Sequence, residues 1–365
     1  MSELEAMEQA VEPAIMVEEL VGTEGLPTGS TLLNLACTGT VNNGFPIGHF
    51  TLVVGDRAAG KTLLTINAMA EACLDPRFDG YDLVYDNVEN GMMFDLNRMF
   101  HSKLAERLEP PAVDETGIPI YSRTVMEFFF HLDARLDSGR PVIYILDSAD
   151  ALTSEADDEK FKDQMKAHNA GKETTGSYGM NKAKEFSQNL RRVTGQGGLR
   201  KNGSILIILS QTRDNVDPRS YEKKTRSGGN ALGFYSSMEL WASLKGKIKK
   251  TVNGVEREVG VHSFWRSKKN RSTGLLREVL FDVYPSYGID DTGSIVDFLV
   301  QAGRWSGSSK GRIEAGDFGM KGSRAAIVKK IETEGHRPTL IQIAQEVWTE
   351  VEEACKLDRP KRYEE

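Results

Sequence analysis

Short apolar runs alternate along this chain with longer segments of mixed polarity. Phe50–Gly55 (FTLVVG) runs apolar and stops at a glycine, the pattern of a buried strand. Lys61–Cys73 holds helix formers and no breaker, so a helix is expected next. Asp82–Asp86 (DLVYD), Pro141–Asp147 (PVIYILD) and Ser204–Ser210 (SILIILS) read as further strands, and Thr124–Asp137 has a helical pattern rich in Phe and Leu. Runs this short fit a strand or a buried helix. Their length and β-branched content decide for strand. Strands alternating with helices predict an α/β fold with a mostly parallel sheet covered on both faces.

After Phe234 the pattern changes. Met238–Ser243, Val259–Trp265 and Glu278–Tyr284 alternate or run apolar and read as later, antiparallel strands. Ser306–Gly322 is rich in Gly and Ser and reads as a linker; Arg324–Ala354 has the periodicity of a small C-terminal helical appendage. The expected division is a leader over 1–29, a core over 30–305, a linker over 306–323 and a helical region over 324–365. Two polar segments interrupt the core, Ser154–Tyr178 and Thr212–Gly229. Each follows an expected core strand directly, where ligand loops sit in open α/β sheets.

Composition narrows the function classes. Hydrophobic residues make up 39% and charged residues 27%, ordinary for a globular protein. No apolar run is long enough to span a membrane. The leader carries seven glutamates before Gly25 and no Lys or Arg, which excludes a signal peptide; it reads as solvated, with Ala14–Val17 as a possible apolar docking strand. Cys37, Cys73 and Cys355 are scattered, which argues against disulfides and zinc and suits a reducing cytoplasm. The net charge is −7, so any nucleic-acid binding must come from local patches.

The strongest chemical signal is Gly55-Asp56-Arg57-Ala58-Ala59-Gly60-Lys61-Thr62, which fits G-x-x-x-x-G-K-[ST] in a strand–loop–helix context. Its amides would cradle phosphates, Lys61 would reach the β and γ phosphates of ATP, and Thr62 would ligate Mg²⁺. Asp147 ends a strand where a second acidic group should hold the Mg²⁺ shell. Asp86 and Glu89 compete for the base that activates water, at the end of what reads as the strand beside the P-loop strand. Gln211 ends SILIILS and opens the second polar segment, where an amide could sense a γ-phosphate.

These motifs, in this order, resemble the RecA family, including the more divergent RecA-like recombinases of large phages. The resemblance covers about Ser30 to Trp305. Gly44–Gly48 resembles the lead-in before the family's P-loop, although the loop interior DRAA differs from the family's common PESS. YDNVEN places Glu89 on the family's catalytic glutamate. LDSADALTSEAD resembles VDSVAALTPKAE, LSQTR matches the glutamine that couples nucleotide to DNA, and GGNALGFYSS is very close to GGNALKFYAS. Lys268–Arg271 resembles V-K-N-K, which implies that Lys269 and Arg271 contact nucleotide bound to the next subunit.

The resemblance implies DNA-binding roles for both polar segments: Lys160, Lys162, Lys166 and Lys172 in the first, and Arg213, Arg219, Tyr221, Lys223, Lys224, Arg226, Gly228 and Gly229 in the second. Cations interleaved with an aromatic suit single-stranded nucleic acid. From Arg213 to Arg226 there are five basic against three acidic residues; from Lys245 to Arg277, ten against two. The implied activity is that of a DNA-dependent ATPase, forming a homo-oligomeric filament on single-stranded DNA and pairing it with a homologous duplex. A helicase-like motor and a recombination mediator without strand exchange remain alternatives. The ~50 residues before the P-loop are few for the extra domain such a helicase would carry.

Overall fold

The computed structural model describes residues 24–92, 95–160, 180–195, 197–215, 224–226 and 229–359. The leader up to residue 23, including Ala14–Val17, lies outside them, as do Lys162, Lys166, Lys172, Arg219, Tyr221, Lys223 and Gly228.

The principal strands are β1 (Phe50–Gly55), β2 (Asp82–Asp86), β3 (Val142–Leu146), β4 (Ile205–Asp214), β5 (Lys224–Arg226), β6 (Met238–Val252), β7 (Val255–Asn270) and β8 (Glu278–Tyr284). They belong to one sheet ordered β8-β7-β6-β1-β4-β3-β2, extended at the two edges by Gly288–Asp290 and Leu108–Glu109, with β5 paired on β4. Pairing is parallel from β6 through β1, β4 and β3 to β2, and antiparallel among β6, β7 and β8. One expectation is corrected here. The P-loop strand β1 lies between β4 and β6, so DLVYD (β2) is not its neighbour; β4 and β3 stand between them.

The central strands are apolar at successive positions because both faces are covered. Ile143, Ile145, Ile205, Ile207 and Leu209 face a core shared with α1 (Lys61–Ala72). Val142, Tyr144, Leu146, Leu206 and Ile208 face a core closed by α2 (Val125–Asp137) and α3 (Met180–Val193). Thr124 starts α2 by accepting a hydrogen bond from the Glu127 amide, a cap that stabilises a helix by about 1 kcal/mol.

β6 and β7 run well past the apolar stretches that announced them. Beyond Ser243 they leave the core as a largely exposed ribbon closed at Asn253-Gly254, both at positive φ (52° and 76°). That is the backbone of a two-residue type I′ turn, for which Asn-Gly is the favoured pair.

The segment expected to be a linker is instead a three-stranded antiparallel sheet: Ser306–Gly307, Arg312–Ala315 and Met320–Ser323. Ile313, Ala315 and Met320 are buried. The alternation in Arg312-Ile313-Glu314-Ala315 is a strand signal that the flanking Gly and Ser obscure. Two helices follow, α5 (Arg324–Thr333) and α6 (Arg337–Ala354). Both contribute to the core beneath α4 (Asp291–Gln301), with Trp348 packed on Phe298 at 5.7 Å between ring centroids.

Candidate functional site

Parallel pairing brings the C-terminal ends of β1, β4, β3 and β2 into one row, and the candidate groups sit along it. Gly55 lies opposite Gln211 on one side and Ala242 on the other. A Cβ at Gly55 would stand 2.8 Å from the Ala242 carbonyl oxygen and from its Cβ, so only glycine fits there. The loop then turns through Ala58 (φ 61°) and Gly60 (φ 91°), which caps α1. The Lys61 ammonium donates to the carbonyls of Gly55 (2.8 Å) and Asp56 (2.9 Å). Burial lowers its pKa, opposed by the charges of Asp147, Glu89, Asp150 and Asp56.

Asp147 follows β3 and is 5% exposed. It accepts hydrogen bonds from the Thr62 hydroxyl (2.7 Å) and the Tyr85 hydroxyl (2.5 Å). Burial raises its pKa; the bonds from Tyr85 and Thr62 and the Lys61 charge work the other way. Tyr85 escaped the sequence reading because a strand tyrosine looks like core, and it is 2% exposed.

Geometry separates the two competing carboxylates. Asp86 is buried and fully engaged. It accepts from the Ser122 amide (3.0 Å), the Ser122 hydroxyl (2.5 Å) and the Tyr144 hydroxyl (2.9 Å), and burial raises its pKa. Glu89 sits in the turn after β2, where its amide bonds to the Asp147 carbonyl at 3.1 Å. That bond carries it across from a strand not adjacent to β1. Its carboxylate accepts from the Gln211 amide (3.0 and 3.2 Å) and from the Ser148 hydroxyl. The Gln211 backbone amide is held by Asp150 at 2.7 Å.

A cleft of 450 Å³ opens beside the P-loop, between residues 58–62 and the side chains of Met99, Val261, Val283 and Pro285. Apolar walls next to a phosphate loop suit a flat nucleobase. These four residues carried no signal in the sequence, since their neighbourhood depends on long-range pairing.

Of the cations assigned to DNA, Lys160, Arg213 and Lys224 are exposed. Gly229 has φ 73° and begins the turn into the short helix Ala231–Tyr235. Arg226 turns inward to an ion pair with Glu239 (3.0 Å), whose carboxylate also accepts from the Trp241 indole (2.7 Å). Lys224 reaches the P-loop, at 2.5 Å from Asp56. Neither pairing was foreseen: Lys224 and Asp56 are 168 residues apart, and Arg226 read as a cation for DNA rather than as the partner of Glu239.

Lys269 and Arg271 lie away from the P-loop of their own chain. Lys269 pairs with Glu239, which pairs with Leu52, about 10 Å short of Gly55 along the strands. The Lys269 ammonium donates to the carbonyls of Gly233 (2.7 Å) and Phe234 (2.8 Å), and Arg271 approaches the same Phe234 carbonyl at 3.5 Å.

Comparison with known proteins shows what the chain is similar to. The family model of the RecA N-terminal domain matches residues 129–290, a span that holds Asp147, Gln211, Lys269 and Arg271. The P-loop and Glu89 lie before it and stand on motif and geometry. Protein RecA of Prochlorococcus marinus (strain AS9601) is 28% identical over 288 residues, 77% of this chain and 69% of the relative. Protein RecA of Fusobacterium nucleatum subsp. nucleatum is 26% identical over 292 residues, 78% and 68% of the two chains. Protein RecA of Colwellia psychrerythraea (strain 34H) is 27% identical over 299 residues, 80% and 76%. The α/β fold, the domain match and these alignments agree: the chain is similar to RecA proteins over 77–80% of its length, at 26–28% identity, and matches the RecA N-terminal domain over residues 129–290.

Proposed function

We propose that this protein is an ATP-dependent DNA recombinase, assembling as a filament on single-stranded DNA and pairing that strand with a homologous duplex. The observation that carries the reading is the position of Gln211. Its side chain bonds the carboxylate beside the P-loop, and its backbone opens the strand extension leading into the basic second segment. A group so placed can report the state of a nucleotide to a DNA-binding segment.

ATP is the nucleotide that fits. The P-loop amides and the N-terminal end of α1 favour phosphate, Lys61 supplies a point charge, and the cleft beside them has apolar walls. Mg²⁺ fits the donor set. Among the described residues no group of three or more His, Cys, Asp or Glu forms a metal cage. A hydroxyl from Thr62 and a carboxylate from Asp147 suit a cation held largely by substrate phosphates. When bound it would neutralise phosphate charge during transfer.

In this reading Glu89 orients a water and accepts its proton as the water oxygen attacks the γ-phosphorus. ADP departs with the electrons of the broken P–O bond. Lys61 and the P-loop amides hold the phosphates. Lys269 and Arg271, out of reach of their own P-loop, would serve the site of the next subunit in the filament. Lys160, Arg213 and Lys224 are the described cations offered to DNA phosphates.

The deciding experiment measures ATP hydrolysis with and without single-stranded DNA, alongside strand exchange on homologous and non-homologous duplex. DNA-stimulated turnover with homology-dependent exchange supports the reading. Exchange-free turnover points to a motor, and turnover indifferent to DNA to a mediator.

A further inference from the structure

The P-loop carries a carboxylate that faces away from the phosphate cradle. Asp56 accepts hydrogen bonds from the Thr212 hydroxyl at 2.6 Å and the Lys224 ammonium at 2.5 Å. Thr212 belongs to the outer part of β4 and Lys224 begins β5, and the two strands pair there as an antiparallel arm. Asp56 therefore ties the nucleotide loop to both strands flanking the second basic segment. The tie is electrostatically sound. Burial would raise the Asp56 pKa, but the bonds from Lys224 and Thr212 and the charges of Lys224 and Lys61 outweigh it and hold the carboxyl below the ordinary aspartate value.

Lys224 also borders a cleft of 440 Å³ whose rim includes Lys245, Arg266 and Lys268. Lys245 lies 4.4 Å over the Phe264 ring and Lys268 3.7 Å over the Trp241 ring. Those two cations rest on aromatic faces, and Lys224 is matched with the Asp56 carboxylate.

We propose that Asp56 is a latch: it holds the β4–β5 arm against the P-loop and competes with nucleic-acid phosphate for Lys224. The proposal rests on the reading of the P-loop as an ATP site and of the 212–229 segment as a DNA contact. The two ends of Asp56 give the latch its input and output. Its carbonyl is held by Lys61, the residue that phosphates would recruit, and its carboxylate is held by the arm. A pair in which Lys224 is 48% exposed is weak enough to be exchanged for a phosphate. Release of Lys224 adds one cation to the DNA footprint. Because binding free energies are linked, DNA that captures Lys224 also frees the loop for phosphate and tightens its hold on the nucleotide.

The test compares the wild type with Asp56→Asn, Lys224→Ala and the double variant. One readout is fluorescence anisotropy of a labelled oligothymidylate at several salt concentrations, with and without a non-hydrolysable ATP analogue. The other is amide exchange over residues 212–214 and 224–226 in the free protein. Without nucleotide, Asp56→Asn is expected to bind about two- to fivefold more tightly than the wild type, the range of a half-exposed ion pair. Its salt slope should steepen by about 0.7, one extra phosphate contact on a single strand. Its ATP-dependent gain should shrink by the same factor, and arm exchange should be faster. In the Lys224→Ala background the affinity gain should vanish. A gain that survives there overturns the latch, since removal of a repelling carboxylate would then account for it. Unchanged arm exchange in Asp56→Asn overturns it as well. If no form binds the oligonucleotide while Asp56→Asn still accelerates exchange, the DNA reading fails and the mechanical tie stands.

Discussion

The two ends of the central sheet hold their candidate functional groups in opposite ways. At the C-terminal ends of β1, β3 and β4 the P-loop, Thr62, Asp147, Glu89 and Gln211 are joined in one hydrogen-bonded set within a single chain. At the other end, Lys269 and Arg271 are turned towards carbonyls of the helix Ala231–Tyr235 and have no substrate group of their own chain to serve. The groups of the first end meet within one subunit. In the proposed filament the second would act on a phosphate that another subunit presents to it. Substitutions at the first end should therefore act at any protein concentration, and those at the second only where assembly occurs.

The largest effect expected at the first end is that of Lys61→Ala, which removes the charge for the β and γ phosphates. Tight ATP binding should be lost in a calorimetric titration of the dilute protein. Retained affinity would dissolve the distinction between the ends. Next comes Glu89→Gln, expected to keep ATP and DNA binding while lowering hydrolysis by ~10²–10⁴-fold, the usual contribution of a general base. Asp86→Asn should give the opposite pattern. Its carboxylate accepts three buried hydrogen bonds, so the loss should be about 1–3 kcal/mol of stability in a denaturant titration, with turnover per folded molecule retained. If Asp86→Asn abolishes turnover in a stable protein, the roles are reversed.

How much of this was legible in the sequence follows the same division. Phe50–Gly55, Asp82–Asp86 and Glu278–Tyr284 have the bounds their apolar runs indicated, because burial writes itself directly into composition. The P-loop was readable because its spacing is local. Strand order was not, and so β2 was wrongly placed beside β1: nothing in DLVYD records which strand it pairs with. Tyr85, Ser148 and Asp150 support the site through partners as many as 62 residues away, and residue type alone does not announce such partners. The Ile313 and Ala315 strand was lost among Gly and Ser for a different reason. Four alternating residues are too few to outweigh a breaker-rich neighbourhood.

Gln211 sharpens the comparison from the boundary between nucleotide and DNA. Gln211→Ala should still bind ATP through the P-loop, yet ATP should no longer raise its affinity for single-stranded DNA. An effect of about 5–150-fold is the ordinary range of such coupling. Alanine at Arg213 should instead weaken DNA binding with and without ATP, because it removes a contact and leaves the switch. Anisotropy of a labelled oligonucleotide, with and without a non-hydrolysable ATP analogue, separates the two. Full retention of the ATP effect in Gln211→Ala would make the residue a passive strand end.

The smallest effect, and the one that tests the second end, is a pH dependence. The Lys269 pKa is lowered from 10.5 to about 8, first by burial and then by the neighbouring charges of Arg271 and Arg226, with Glu239 opposing. Above about pH 8 the isolated subunit therefore loses this cation. If Lys269 serves a phosphate on the next subunit, assembly with a non-hydrolysable ATP analogue should weaken severalfold as pH rises through that value, or somewhat above it where the phosphate itself favours the charged form. The sign of the folding term distinguishes this from denaturation. Between about pH 8 and 10.5 the unfolded chain holds more protons at this lysine than the folded one, so the group makes folding more favourable as pH rises. Loss of assembly in that window would thus run against its own contribution to stability. Lys269→Arg keeps its charge throughout and should abolish the pH dependence measured by light scattering, while ATP binding by the dilute subunit stays unaffected. An equal fall in Lys269→Arg would remove this residue from the subunit boundary.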